Sequence, residues 1–253
     1  MKLSVRRMIE RRVEGVAVMT FGMEDVLLDD LKFRKIPLVF VDVGPPLPKI
    51  SNIRVDYLHG LRQAVQHLVT LQHERVAFIS GPLVLKSAYA RRKAFVQSME
   101  EARLTVHPQY LVEGNHTMEG GMAAMDQLLQ LPRRPTAVMC SNDMTAIGVM
   151  RKSYEKALNV PKDISVIGFD DIRLSQFVIP ALTTIQMSQS ELARQAFNAL
   201  FAEVQREIPS PSGSEYLLKT NLLLRDSTAI SPKSVNAGSE NSSNSQNEEN
   251  SPE

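Results

Sequence analysis

A single cysteine, Cys140, is all this 253-residue chain contains, so no disulfide can close within it. At the end of an apolar segment it reads as a small core side chain. No apolar run approaches the roughly 20 residues that a membrane-spanning helix needs. The Lys- and Arg-rich start lacks the apolar stretch of a secretory signal, which gives the expectation of a cytoplasmic protein with no membrane partner. There is no Gly-x-Ser-x-Gly elbow, no phosphate-binding glycine loop and no His-Glu-x-x-His. His59, His67, His73, His107 and His116 stand without carboxylate or Cys neighbours at metal-ligand spacing. No catalytic residue, metal site or cofactor is therefore expected, and the chain does not read as an enzyme. Net charge is also small. The net of +1 hides an acidic end, with Lys233 set against Glu240, Glu248, Glu249 and Glu253, which leaves only +4 on the residues before Thr228. Such a balance does not by itself suggest nucleic-acid binding. Lys2, Arg6, Arg7, Arg11 and Arg12 form the one basic cluster along the sequence, and on a helix that pattern is usually a solvated face.

What is present alternates between β-branched runs and helical spacing, the pattern of parallel sheets with crossover helices. Strands are expected at 13–19, 37–42, 75–80, 109–112, 136–140 and 163–169, with extended segments near 183–186 and 215–225. The helix from Tyr57 carries Leu61, Ala64, Val65 and Leu68 on one stripe. Ser188-Gln189-Ser190-Glu191 has the form of a capping box. From 227 onward the composition turns to Ser, Asn, Glu and Gln, which cannot bury enough apolar surface to offset ordering, so 227–253 is expected to be a disordered tail.

One run carries more than the rest. Asp163-Ile164-Ser165-Val166-Ile167-Gly168-Phe169-Asp170-Asp171 is a buried strand that delivers carboxylates at its carboxyl end, where ligands of open α/β sheets bind. A second strand, Thr136-Ala137-Val138-Met139-Cys140, ends in Ser141-Asn142-Asp143. With Ile79-Ser80-Gly81-Pro82 and Pro180-Ala181-Leu182-Thr183-Thr184-Ile185, these residues resemble the effector-binding core of the LacI/GalR family of bacterial transcription regulators, in unbroken order over residues 5 to 226. The resemblance implies an α/β, two-lobed, type I periplasmic-binding-protein-like fold with parallel sheets flanked by helices. It implies an amino-terminal lobe of 1–79 plus 187–209 and a carboxyl-terminal lobe of 80–186 plus 213–226. A small-molecule effector, sugar-like or purine-like, would bind between the lobes, and a homodimer would read operator DNA through a helix-turn-helix head.

That head has no counterpart here, because one short basic helix, Leu3 to Arg12, runs directly into the first strand. No DNA-binding residue is expected in this chain, the first lobe should lack its initial strand-helix-strand, and the sequence reads as amino-terminally truncated. Two other readings stand beside this one: a solute-binding protein of a sugar transporter, which should carry a signal peptide, and a nonfunctional fragment.

The candidate effector contacts are Arg91, Asp170, Asn142, Ser87 and His116. Ser87 and Arg91, four apart, share a helix face. A guanidinium offers a planar fork of donors to paired hydroxyls, a carboxylate or a phosphate, and the family resemblance makes the matching arginine a principal effector contact. On residue type alone, an internal ion pair of Arg91 with Asp170 or Asp171 is an equal reading. Asn142 suits hydroxyl recognition but also suits a helix N-cap. Asp170 can accept from sugar hydroxyls or simply form a turn. His116 stands where relatives commonly place a stacking aromatic, and Met187 where a polar residue is common, so the site is expected to be more apolar than in sugar-binding relatives.

Overall fold

Among the described residues, aliphatic and β-branched side chains build ten short strands, which the structure, a computed structural model, divides between two sheets. Residues 7, 10–18, 36–42, 45–206 and 212–232 are described. Cα proximity groups Met1–Asp56, Leu85–Ser87 and Met187–Thr220 in one unit and the remainder in another.

In the first unit, β1 (Val16–Val18), β2 (Leu38–Val41), β3 (Ile50–Asp56) and β9 (Glu215–Lys219) lie side by side in that order, all parallel. Val16, Val18, Leu38, Phe40 and Ile50 form its apolar cluster. Helix α5 (Gln189–Val204) packs on all four strands. Its N-cap Ser188 accepts from Glu191 N at 3.3 Å, but the capping box is only half made. The Glu191 carboxylate turns to the fork of Arg194 at 2.6 and 2.9 Å, a bidentate partner one helical turn away.

In the second unit the order is β10 (Asn221–Leu223), β8 (Thr183–Gln186), β7 (Ser165–Asp170), β6 (Ala137–Cys140), β4 (Val76–Ser80) and β5 (Leu111–Glu113), parallel throughout except for β10. Helices α1 (Tyr57–Thr70), α2 (Lys86–Glu101), α3 (Met118–Leu129) and α4 (Asp143–Glu155) alternate with these strands. The stripe Leu61, Ala64, Val65 and Leu68 on α1 is buried as its spacing predicts, at about 1.5–3 kcal/mol for each large side chain.

Three expectations change. The first lobe was expected to reach 79, yet β4 sits between β5 and β6 of the six-stranded sheet, and the grouping boundary falls at Asp56. The segment near 215–225 is two strands in different sheets. Thr220 turns the chain between them, and its buried hydroxyl donates to the Asp56 carbonyl at 2.7 Å. Strand β3 has no counterpart among the expected strands, because buried Ser51 and Asn52 interrupt its apolar pattern; Ser51 Oγ accepts from Ser214 N at 2.9 Å.

The expected tail also starts later. The carbonyl and hydroxyl of Ser227 are built into the sheet: Val166 N donates to Ser227 O at 2.8 Å, Thr183 N to Ser227 Oγ at 2.8 Å, and Ser227 Oγ to Val166 O at 2.6 Å. Ser231 N reaches Leu71 O at 2.8 Å. Polar pairing orders 227–231 where apolar burial alone gave no reason to expect it. Residues 233–253, the rest of the expected tail, lie outside the described residues, as do Lys2 and Arg6 of the basic cluster and most of the expected helix from Leu3.

Candidate functional site

The strands β4, β6 and β7 run parallel, so Ser80-Gly81, Ser141-Asn142 and Asp170-Asp171 emerge on one rim. Helix α2 brings Arg91 to that rim with only 5% of its surface exposed. Its guanidinium lies 4.1 Å from the Phe169 ring centroid and 5.2 Å from that of Tyr57. One terminal nitrogen donates to the Ser141 carbonyl and the other to Asp170 Oδ1 at 3.0 Å. Nε is buried without a partner, an uncommon state for a charged donor. The aromatic faces favour the cation over them, and the short ion pair fixes its plane.

Asp170 keeps 24% of its side chain accessible, so it is the reachable end of a pair whose other end is sealed. Burial raises its carboxyl above the usual range, against the pull of Arg91. Its φ of 103° and the 57° of Asp171 are left-handed, a region that non-glycine residues occupy at a cost of about 1–3 kcal/mol each. Asp171 serves a different task. It accepts from Arg225 at 2.6 Å and from Gln186 Nε2 at 2.8 Å, closing the carboxyl end of β7 onto β8 and the segment after β10.

His116, also left-handed at φ 65°, lays its ring across Gly81, where a Cβ would meet Nε2 at 1.9 Å. Its Nε2 is 3.1 Å from Ser141 Oγ, and burial, aided by the nearby Arg91 charge, lowers its pKa. Asn142 is fully engaged in structure: Oδ1 caps α4 by accepting from Thr145 N at 3.0 Å, and Nδ2 donates to His116 O at 3.0 Å. Ser141 thus joins Arg91, His116 and Asn142 into one group. Ser87, one turn before Arg91 on α2, is buried.

Sequence reasoning did not single out Asp143. It is wholly buried next to this rim, accepting from Thr184 Oγ1 at 2.5 Å and from Ile172 N at 2.8 Å. Those bonds favour the anion, but burial outweighs them, with Asp170 and Asp171 adding repulsion, and the carboxyl is pushed up to about 7. The carboxylate fits only because residue 168 is glycine, since a Cβ there would meet Asp143 Oδ1 at 2.1 Å. Tyr57, Phe169 and Arg225 were likewise not singled out. Among the described residues no group of three His, Cys, Asp or Glu side chains could hold a metal ion, and no helix is long and apolar enough to cross a membrane.

Comparison with known proteins follows this geometry. Residues 65–228 match the family described as a periplasmic binding protein-like domain. The HTH-type transcriptional repressor PurR of Glaesserella parasuis is 37% identical over 205 residues, covering 81% of this chain and 60% of that protein. The HTH-type transcriptional repressor CytR of Escherichia coli K12 is 36% identical over 196 residues, covering 78% and 57% respectively. The chain therefore spans about 60% of the length of these relatives. Among solved structures, a Lac repressor dimer bound to operator and an anti-inducer aligns with a TM-score of 0.77 at 29% identity, covering 90% of this chain and 78% of that one. These relatives are repressors rather than enzymes. By matched residues, sequence identity and fold, this chain belongs to the periplasmic-binding-protein-like family, in the branch of the LacI-type transcriptional regulators.

Proposed function

We propose that the second unit binds a small polar effector at the rim formed by Arg91, Asp170, Ser141 and His116, and that the protein to which this sensor belongs is a cytoplasmic repressor acting on operator DNA as a homodimer. The observation that carries the reading is the Arg91–Asp170 pair: a sealed guanidinium on two aromatic rings, holding an accessible carboxylate at the carboxyl ends of parallel strands. Asp170 is the acceptor for ligand hydroxyls or ring N–H groups, and Arg91 favours its charged form and orients it. His116 supplies a flat face beside them. Asn142 acts by holding His116 and α4 in place. That chemistry suits a sugar-like or purine-like molecule. Effector binding then biases a conformational equilibrium that a DNA-binding head reads out.

Calorimetry against a panel of monosaccharides and nucleosides tests the reading. For any binder found, Asp170→Asn should weaken affinity about tenfold or more, as expected when hydrogen bonds to a charged group are lost. Unchanged affinity in Asp170→Asn and in Arg91→Ala, with the fold intact, would make the pair an internal staple, the reading favoured by the Arg91 bond to Ser141 O.

A further inference from the structure

A second concave surface lies at the opposite edge of the six-stranded sheet. The amino ends of β4, β5 and β6 are approached by Glu74-Arg75, by the loop Arg103–Tyr110 and by Arg133, which together line a cleft of about 500 Å³. Three arginines and His107 line it, with Glu74 the single carboxylate among the lining residues. No ion pair joins Arg75, Arg103 or Arg133 to a carboxylate among the described residues.

The wall is anchored. Arg75 Nε donates to Arg134 O at 2.8 Å, and Tyr110 OH donates to Arg133 O at 2.6 Å, so two side chains fix the 133–134 turn. The Tyr110 ring meets His107 edge-on at 5.5 Å. Arg103 holds a left-handed φ of 59° just past α2, and Leu104 N returns to Met99 O at 2.9 Å, which closes the helix end behind it. Guanidinium groups that line one cleft repel one another and gain from an anion bound among them.

We propose that this cleft binds a small molecule bearing phosphoryl groups, at a site separate from the Arg91–Asp170 rim. A phosphoryl group offers several oxygens to several guanidinium forks at once, which one carboxylate cannot match. The concavity falls in the range of small-molecule pockets, roughly 300–1,000 Å³, whereas a duplex would need an extended exposed row of phosphate contacts.

Calorimetry of the full chain with sodium pyrophosphate at low salt tests this, with ADP as a second probe to learn whether an organic body adds affinity. Saturable one-to-one binding is expected, weakening by about tenfold or more in Arg103→Glu and in Arg133→Gln, and falling as salt is raised. Asp170→Asn should leave it unchanged. Both arginine side chains are exposed, so the variants should melt as the parent does. Absence of saturation, or full affinity retained in the Arg103→Glu, Arg133→Gln double variant, overturns the proposal. So does tighter binding of a short duplex or a Glu-rich peptide through the same arginines that pyrophosphate fails to displace, because the cleft would then serve a macromolecule.

Discussion

Burial raises both Asp143 and Asp170, and the two differ in the partners that oppose it. Asp170 has a guanidinium at 3.0 Å, whereas Asp143 has only a hydroxyl and a backbone N–H within hydrogen-bonding distance. Ionisation of Asp143 therefore opposes folding near neutrality. Its carboxyl is raised from 3.8 to about 7, so its contribution to stability is full below about 4 and is lost as pH rises through 7. Asp143→Asn should flatten that part of the stability–pH curve, by an amount on the order of a few kcal/mol between pH 4 and 8 in urea titrations. A curve unchanged by the substitution would mean that Asp143 ionises normally. At Arg91 the expectation is different: Arg91→Ala leaves the Asp170 acceptor without its partner and should cost about 1–3 kcal/mol, much of it recovered when Asp170→Asn is added. Purely additive losses would show that the pair is not coupled. Arg91 and Asp170 were legible in the sequence because residue type and position at a strand end suffice to nominate them. Asp143 was not, because its environment depends on the clearance over Gly168, which only the folded register reveals.

At the scale of elements, periodicity gave the strands with uniform apolar runs and missed the one built with buried polar residues. β3 holds Ser51 and Asn52 inside the first unit, and the segment 227–231 docks through Ser227, with no apolar pattern to announce either. In both cases a hydroxyl takes the place of packing by meeting backbone N–H groups of a neighbouring strand or loop. Ser227→Ala should leave Thr183 N, a buried donor, unmet and destabilise by about 1–3 kcal/mol. Hydrogen exchange at Thr183 and Val166 should then accelerate ahead of the sheet centre; protection equal to that of the parent would show that water or a neighbour replaces the hydroxyl. The same clasp is sensitive to acid. His73 sits with Nδ1 2.9 Å from Thr136 Oγ1 and Nε2 2.9 Å from Ala229 O, near Ser165 Oγ at 3.1 Å, with His67 adding repulsion. Burial lowers its pKa below the ordinary 6.5. Its stabilising contribution is thus complete above about 6.5 and is lost as pH falls through the lower folded value. Exchange at Ala229 should rise on acidification below 6.5 in the parent and not in His73→Gln.

For the molecule as a whole, a charge count was a poor guide. The run Lys2 to Arg12 is the one basic cluster along the chain, but Arg75, Arg103, His107 and Arg133 come together from three separated segments because parallel strands start at a common edge. Fold class was legible because alternating strands and helices force a right-handed parallel architecture; unit boundaries were less so, because the passage from β3 to α1 at Asp56–Tyr57 changes unit within a continuous run of structure. Assembly belongs to this scale too. A structural relative forms an operator-bound dimer, and two-fold symmetric regulators match palindromic half-sites. This chain also exposes large apolar side chains that water solvates poorly: Phe197 and Phe201, stacked at 5.6 Å on α5, and on the second unit Phe177 and Ile179. Light scattering at micromolar concentration should therefore give a dimer. Because association contributes to stability by mass action, the midpoint of thermal unfolding should climb with protein concentration. A monomeric mass together with a concentration-independent midpoint would show that these surfaces do not support self-association in this chain.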